Sequence, residues 1–503
     1  MITPGRTLLA YLVAIAIFCS LVPPSVQHKE QEDENPAEVK IAIIGGGLGG
    51  TSSAYYLREL FGDAASITLY EKGEIGGRLA TVAVGGDDYE LGGSILHPRN
   101  RYMKNFVKEF GFKAKSEPAG QTMGVYNGKE FLFRDSSWSV ITLLRLLWRY
   151  GFDVFRMNWT IDGLLEKFER IYELQDKGNA YETIEDVMAA MDEKFAGWLR
   201  VPISSVLEEM GFSRRFIDEL LAVATRANYG QNPDMMGFAG MVSLAGAMPG
   251  LWAIEGGNKK VPQELLKRSG ATLIRAQVAS VERRVESNAG RPSFMVRQAG
   301  NGNEEDVEYD IVLVATPIEP EARTSVIQFV GFDHPISNFS GQYRHTVATM
   351  VQGRARPSAF GVGPKGDLPT EILTNIDIPL NVRTVSKNYP VDFKASSFKE
   401  SNQVYKVFST EVLSASQLDT IFESHSVESY RDWLAYPYYH HHDSFPSFVL
   451  SEGMFYPNAI EWAASAMEMA VIGGRNSANL AHRYWRGESM MGQHGTSNIK
   501  QEL

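Results

Sequence analysis

The stretch Val39-Lys40-Ile41-Ala42-Ile43-Ile44-Gly45-Gly46-Gly47-Leu48-Gly49-Gly50, with its continuation to Glu71, decides the fold. Val39–Ile44 is an apolar, β-rich run, Leu48–Phe61 has helical apolar spacing, and Ile67–Tyr70 reads as a second strand, so the whole is a βαβ unit. Gly45-x-Gly47-x-x-Gly50 follows the first strand directly and opens the helix, which is the context that gives a short glycine pattern its weight. Gly45 permits the tight turn, Gly47 lets backbone approach a pyrophosphate, and Gly50 lets the helix pack on the strand. The N–H groups and the positive dipole end of the helix then face the phosphates. Glu71, at the end of the second strand, is placed to accept hydrogen bonds from both hydroxyls of an adenosine ribose and to repel a 2′-phosphate. A glycine turn with a purely structural job is the competing reading, and strand, spacing and acid together outweigh it.

Outward from this unit, 503 residues with 44% hydrophobic and 22% charged side chains suffice for two domains with a sizeable core. A net charge of -11 and the lack of a long Lys/Arg block exclude a nucleic-acid partner and disfavour an anionic membrane surface. Arg6, the apolar run Leu8–Val22, Pro23-Pro24 and the acidic stretch to Glu38 read as a signal peptide over 1–27 and an acidic linker over 28–38. At roughly 15 residues the apolar run is short for a bilayer span, so no stable transmembrane anchor is expected; a retained signal anchor is the alternative. The single cysteine, Cys19, falls in the removed segment, which leaves the mature chain without disulfides, thiolate metal sites or a cysteinyl flavin link. No metal-ligand spacing is present, and His440, His441 and His442 read as an exposed loop because consecutive side chains diverge. Asn158 and Asn338 head N-x-[ST] sequons open to glycosylation in a secretory lumen.

Trp138–Phe155 and Ile161–Tyr172 have amphipathic helical spacing and point to a second, helix-containing domain. Val307–Thr316 is a buried-strand pattern that stops at Pro317, and a last helix over Ala463–Ala481 is rich in small residues where something must approach closely. The polar tail from Arg486 ends Lys500-Gln501-Glu502-Leu503, similar to a relaxed lumenal retrieval signal.

Four further segments separate flavin from nicotinamide: Gly76-Gly77-Arg78, Leu91-Gly92-Gly93-Ser94, Gly256-Gly257-Asn258 with the Val278 strand, and Glu461 to Glu468. Together they resemble the amine oxidase and phytoene desaturase superfamily of FAD enzymes. The resemblance implies that Gly77 and Arg78 lie against the FAD diphosphate and Gly92 and Gly93 beside the flavin ring. It also implies that the Val278 strand holds adenine and that the Glu461 segment closes over the ribityl chain. The longer strings GGRLATVAVGGDDYELGGSILHP, NYGQNPDMMGFAGMVSLAGAMPGLWAIEGGNK, WLAYPYY and AIEWAASAMEMA resemble the prenylcysteine oxidases, over most of the chain from Ile41 to Ala470. The chain departs from relatives at Gly46 and at Trp462, where they carry cysteine.

The expected architecture is mixed α/β: a Rossmann-type FAD-binding domain over 39–100, 252–322 and 446–485, and a substrate-binding domain over 101–251 and 323–445, with a polar tail over 486–503. The resemblance implies a flavoprotein oxidase that uses FAD, O2 and water to cleave farnesyl- or geranylgeranyl-cysteine to cysteine, a prenyl aldehyde and H2O2. The FAD is expected to be noncovalent. Lysosome is the implied compartment, with retention in the endoplasmic reticulum or secretion as alternatives. His97 stands where it could approach the flavin, and Arg226 and Tyr229 where either could hold the substrate carboxylate; structural pairing is the competing reading for Arg226. A prenyl tail needs a long apolar pocket, for which Val140–Leu147 and Met235–Leu244 are candidates, with ordinary core as the other reading. A flavin amine or polyene oxidoreductase, or a secreted lipid-binding flavoprotein with incidental turnover, remains open on the residues alone.

Overall fold

The computed structural model describes residues 38–488 except 117, 119, 137, 285–289, 301–305, 320–326, 337–338, 340, 364–365, 380, 397–402 and 441–443. The expected signal peptide, most of the linker, Asn338, His441, His442 and the end of the tail lie outside the described residues.

The βαβ unit forms as read, with a strand at Val39–Ile44, a helix at Leu48–Phe61 and a strand at Ala65–Tyr70. It is the centre of a six-stranded sheet whose order is Val449–Ser451, Met454–Phe455, Ile311–Val314, Val39–Ile44, Ala65–Tyr70, Thr272–Ile274. Every pairing in it is parallel except the one between Val449–Ser451 and Met454–Phe455. Ile41 lies opposite both Ile311 and Ile67, and all three are buried, as expected of a parallel sheet covered on both faces. A seven-stranded sheet, in which the long strands Tyr343–Ala355 and Phe422–Pro437 pair antiparallel, and a four-stranded sheet complete the β structure together with a small hairpin. Helices between Arg101 and Ala245 pack beside them. Among the described residues no helix is long and apolar enough to cross a membrane.

Four elements differ from their sequence reading, the first being Ile161–Tyr172, which Glu169 divides between the helices Asp153–Phe168 and Arg170–Asp176. The run Val307–Thr316 is two strands, because Asp310 turns its carboxylate to the Lys40 N–H at 2.8 Å. Val307–Tyr309 then joins the four-stranded sheet while Ile311–Val314 enters the central one. The pattern from Trp138 to Phe155 breaks at Gly151, φ +60°, into helices Ser139–Tyr150 and Asp153–Phe168. The last helix runs Met467–Trp485, later than expected, after a 3-10 turn at Pro457–Trp462. Its small residues do serve close approach, since a Cβ on Gly474 would stand 2.2 Å from Ser52 Oγ and 2.8 Å from the Gly49 carbonyl.

Glu468 ties this last helix to the one at Arg101–Glu109. Its buried carboxylate accepts the N–H groups of Tyr102 at 2.7 Å and Met103 at 3.1 Å and the Tyr172 hydroxyl at 2.8 Å. Burial pushes the group up from 4.5 to about 7, with the hydrogen bonds opposing the shift. Between those values the folded chain holds a proton that the unfolded chain has released, so stability falls as pH rises. The contribution is full below about 4.5, is lost by about 7, and amounts to on the order of 3 kcal/mol at most. Thermal stability should therefore fall as pH rises across this window, and Glu468→Gln should flatten the slope; an unchanged slope would assign the pH dependence to other groups.

Candidate active site

The glycine-rich turn is built by contacts only glycine permits. Gly45 takes φ +114° and donates its N–H to Tyr70 O at 2.8 Å, and a Cβ there would lie 2.6 Å from Ala315 O. A Cβ on Gly50 would lie 2.0 Å from Gly45 O, which sets the helix directly on the strand. Gly47 caps the helix with no side-chain cap, and the first turn carries no acid. The Thr51 N–H bonds back to Gly47 O at 3.0 Å, so the N–H groups ahead of it point out of the helix end. That end is a fit for a pyrophosphate.

Glu71 accepts the Gly46 N–H at 2.7 Å on one oxygen and the Gly73 N–H at 2.7 Å on the other. A carboxylate offers about four acceptor positions. Glu71 thus pins the turn and retains capacity for ribose hydroxyls. Gly46 supplies one of these donors. A cleft of ≈ 540 Å3 adjoins the loop after Glu71, lined by Glu74, Ile75, Lys259, Gln263, Leu266, Leu273 and Arg275. Arg275 stands three residues before buried Val278, the first residue of the strand Val278–Arg284.

Tertiary structure brings the separated glycine segments together. The Gly76 N–H bonds to Gly46 O at 2.9 Å, and a Cβ on Gly77 would stand 3.1 Å from Gly47 Cα. Gly93 donates to Arg78 O at 3.1 Å, and a Cβ on Gly92 would fall 1.9 Å from that same oxygen. Asn258 then donates through its side chain to Gly93 O at 3.1 Å and through its backbone to Glu90 at 2.6 Å.

Arg78 is expected at a diphosphate; its guanidinium meets the Glu461 carboxylate and Ala435 O, the latter at 2.6 Å, while about a third (32%) of its side chain stays exposed. Glu461, buried, also accepts the Tyr343 hydroxyl at 3.0 Å, and its carbonyl accepts Tyr439 OH at 3.0 Å. Tyr229 donates to Ser465 O at 2.9 Å and meets the Tyr436 and Tyr439 rings edge-on. Trp462 is fully buried, edge-on to Phe339 and Tyr343. The result is an aromatic wall around one ion pair. Burial holds the Tyr229, Tyr343 and Tyr439 hydroxyls above their ordinary values, and hence protonated.

All five N–H groups of Arg226 go to Thr374, Asn232, Ile376 and Asp377, at 2% exposure, so its present role is to hold the 374–377 loop. His97 accepts the Arg99 N–H on Nδ1 at 3.1 Å, and burial followed by the Arg99 charge holds its imidazole below the ordinary value. Asn158 is half-buried within the helix Asp153–Phe168. Of the two pocket candidates, Met235–Leu244 is core, but Val140–Leu147 is not: Val140, Ile141, Leu143 and Leu144 face outward on the protein surface.

Sequence reasoning missed Lys406 and Glu90. Lys406 is buried with its ammonium 3.3 Å from Glu90 O, 3.4 Å from Gly92 O and 3.4 Å from Ser94 Oγ. Burial draws it down to about 8 against the pull of Glu90, whose own carboxyl burial pushes up. The available signal was a lysine inside the apolar run Val404-Tyr405-Lys406-Val407-Phe408. It sets a buried cation behind the Gly92 turn.

Comparison with known proteins agrees with this geometry. The prenylcysteine lyase family model matches residues 133–493, and a model of an NAD(P)-binding Rossmann-like domain matches 43–110. Human prenylcysteine oxidase 1 is 40% identical over 92% of this chain and 93% of its own length. Bovine prenylcysteine oxidase 1-like is 35% identical over 89% of this chain and 91% of its own. Among solved structures, putrescine oxidase bound to putrescine superposes with a TM-score of 0.54 at 14% identity, covering 88% of this chain and 98% of that one, which shows the fold.

Glu71→Ala should weaken FAD binding in a flavin titration by about tenfold or more, through loss of hydrogen bonds to a charged acceptor. Its effect should exceed any change that Arg78→Ala makes in preference among prenyl substrates. Unchanged flavin affinity would put the ribose elsewhere.

Proposed function

Since the chain belongs to the prenylcysteine lyase family, we infer that it is an oxidoreductase that oxidises prenyl-L-cysteines and frees their cysteine. The observation that carries the reading is the convergence of the Gly45–Gly50, Gly76–Arg78 and Gly92–Gly93 turns, reached through Arg78 by Glu461. We propose FAD as the cofactor, bound noncovalently, with the helix end at Gly47 taking the diphosphate and Glu71 the ribose. The bound flavin supplies a hydride acceptor and a route for the electrons to O2.

On the substrate, hydride leaves the carbon between sulfur and the allylic double bond, where the sulfur lone pair and the π system share the positive charge. Water adds at that carbon, and the hemithioacetal collapses to the aldehyde and a free thiol. One O2 is reduced to H2O2, so the atoms and electrons balance. No acid/base pair is demanded of the protein; orientation and exclusion of bulk water are. The Gly92 turn, fixed by Lys406 and Asn258, gives a rigid floor. The tyrosines around Glu461 wall in its buried carboxylate, while Arg78 keeps one side open. To hold the amino-acid head, Tyr229 would have to give up its bond to Ser465 O, and Arg226 its several protein partners. A lumenal site of action is proposed from the leader-like N-terminus and the sequons, lysosomal by the family resemblance, with retention through Lys500-Gln501-Glu502-Leu503 or secretion as alternatives.

Acid precipitation should leave the yellow chromophore in the supernatant; flavin retained in the pellet would mean a covalent link. Farnesylcysteine deuterated at the prenyl C1 should yield deuterated aldehyde, free cysteine and peroxide and should slow flavin reduction where hydride transfer limits it. Ammonia with an intact thioether would reassign the chain as an amino-acid oxidase. Bleaching by an amine or a polyene alone would favour another oxidoreductase, and no bleaching a binding protein.

A further inference from the structure

The strongest feature outside the site is the outer face of the helix Ser139–Tyr150 and its continuation. Val140, Leu144 and Trp148 recur every four residues along this helix, Phe152 follows past the Gly151 turn, and Trp138 and Trp159 flank them. These six side chains are 60–87% exposed. Scattered apolar residues on a surface need no explanation, but a contiguous stripe of this kind marks an interaction site. Three of the chain's eight tryptophans stand in it, and no other tryptophan is among the exposed large hydrophobic residues described. An indole, apolar in body with one polar N–H, favours the boundary between headgroups and acyl chains.

Charge selects among possible occupants. The helix Ser139–Tyr150 carries no carboxylate and two arginines, of which Arg149 is paired with Glu219 and Arg145 supplies the outward positive charge, in a chain whose net charge is -11. Arg145 donates to Arg134 O at 3.0 Å, Arg215 to Arg149 O at 3.3 Å, and Arg134 to Asp367 O. These bonds run to backbone carbonyls, which carry no net charge; of nearby carboxylates, Asp135 interacts with Arg145. A local basic rim around an apolar stripe complements phosphate headgroups above an acyl interior, a pattern seen in helices that lie in the membrane interface.

We propose that this face docks the protein on a phospholipid bilayer, lying in the interface and not spanning it. The inference rests on the prenylcysteine reading for its purpose, since a farnesyl tail partitions into lipid, but its geometry stands alone. The same helix is tied inward at its end: Arg149 meets Glu219 through two bonds of 2.6 and 2.8 Å, and Tyr150 OH meets it at 2.9 Å. Glu219 lies in the π-helical turn Ile217–Leu221, which runs into the helix Ala222–Tyr229. Tyr229 then reaches Ser465, four residues beyond Glu461. One continuous stretch of backbone therefore joins the docking helix's anchor to the candidate site.

Flotation of the holoenzyme with phosphatidylcholine vesicles, with and without phosphatidylglycerol, tests this. The wild-type chain should float with both and better with the anionic lipid. Leu144→Glu and Trp148→Glu should each lower partition roughly tenfold or more, because a large apolar contact is lost and a charge is introduced. Turnover of a short-chain prenylcysteine free in solution should be unchanged in these surface variants, which also reports that they fold. Failure of the wild type to float, or equal flotation of the variants, would overturn the proposal. So would a concentration-dependent dimer that the variants abolish in the absence of vesicle binding, since the face would then join two copies of the chain. Flotation without turnover of any prenylcysteine would sink the functional reading and leave the docking surface standing.

Discussion

The approach of the Leu48–Phe61 helix to its neighbours is the constraint on which the rest of the structure depends. On one side Gly50 rests on the Gly45 carbonyl, and on the other Gly474 brings the last helix against Ser52 and Gly49. A single methyl group at either position would overlap backbone or side-chain atoms at distances real contacts do not reach. The helix is therefore held between the sheet and the C-terminal helix with its amino end open. An uncapped, acid-free helix end costs stability that capping would otherwise supply. Its retention makes physical sense as an anion site.

A second layer of constraint is electrostatic. The Gly76–Arg78 and Gly92–Gly93 turns interlock through backbone hydrogen bonds, and charged groups fix the assembly from behind: Glu461 on Arg78, Glu90 on Asn258, Lys406 on the Gly92 carbonyl. Each of these charges is buried or partly buried and each has a partner, although Glu90 uses only one oxygen and its buried Oε2 has no hydrogen bond among the described residues. Burial of an ion is tolerable only when its hydrogen bonds are made. The interlocked turns are rigid as a result, because shifting them would strand Arg78 and Lys406 from their partners. Glu468 does the same for the helices behind the site, in exchange for a stability that depends on pH.

Much of the fold and the geometry of the glycine-rich turn was legible from the chain. Gly45, Gly47, Gly50 and Glu71 report themselves because their roles are local: a turn, a helix end and a strand end lie within one βαβ unit. The strand at Val39–Ile44 and the helix at Leu48–Phe61 appear with the bounds that periodicity gives. The break at Asp310 was hidden because an apolar run looks alike whether one sheet or two receive it, and only the hydrogen bonds to Lys40 decide.

By itself the sequence determined the dinucleotide-binding unit, the mixed α/β class, the resemblance that led to a prenylcysteine oxidase, and the lack of cysteine after Cys19. Tertiary structure alone decided that Arg78 pairs with Glu461 across 383 positions, that Lys406 backs the Gly92 turn, and that Arg226 holds a loop. It alone turned the Val140–Trp148 stripe outward, although its spacing would equally suit a core helix. The physical reason is common to all four. Local pattern fixes backbone geometry, whereas the partner of a charge and the direction of an apolar face depend on what distant segments bring beside them.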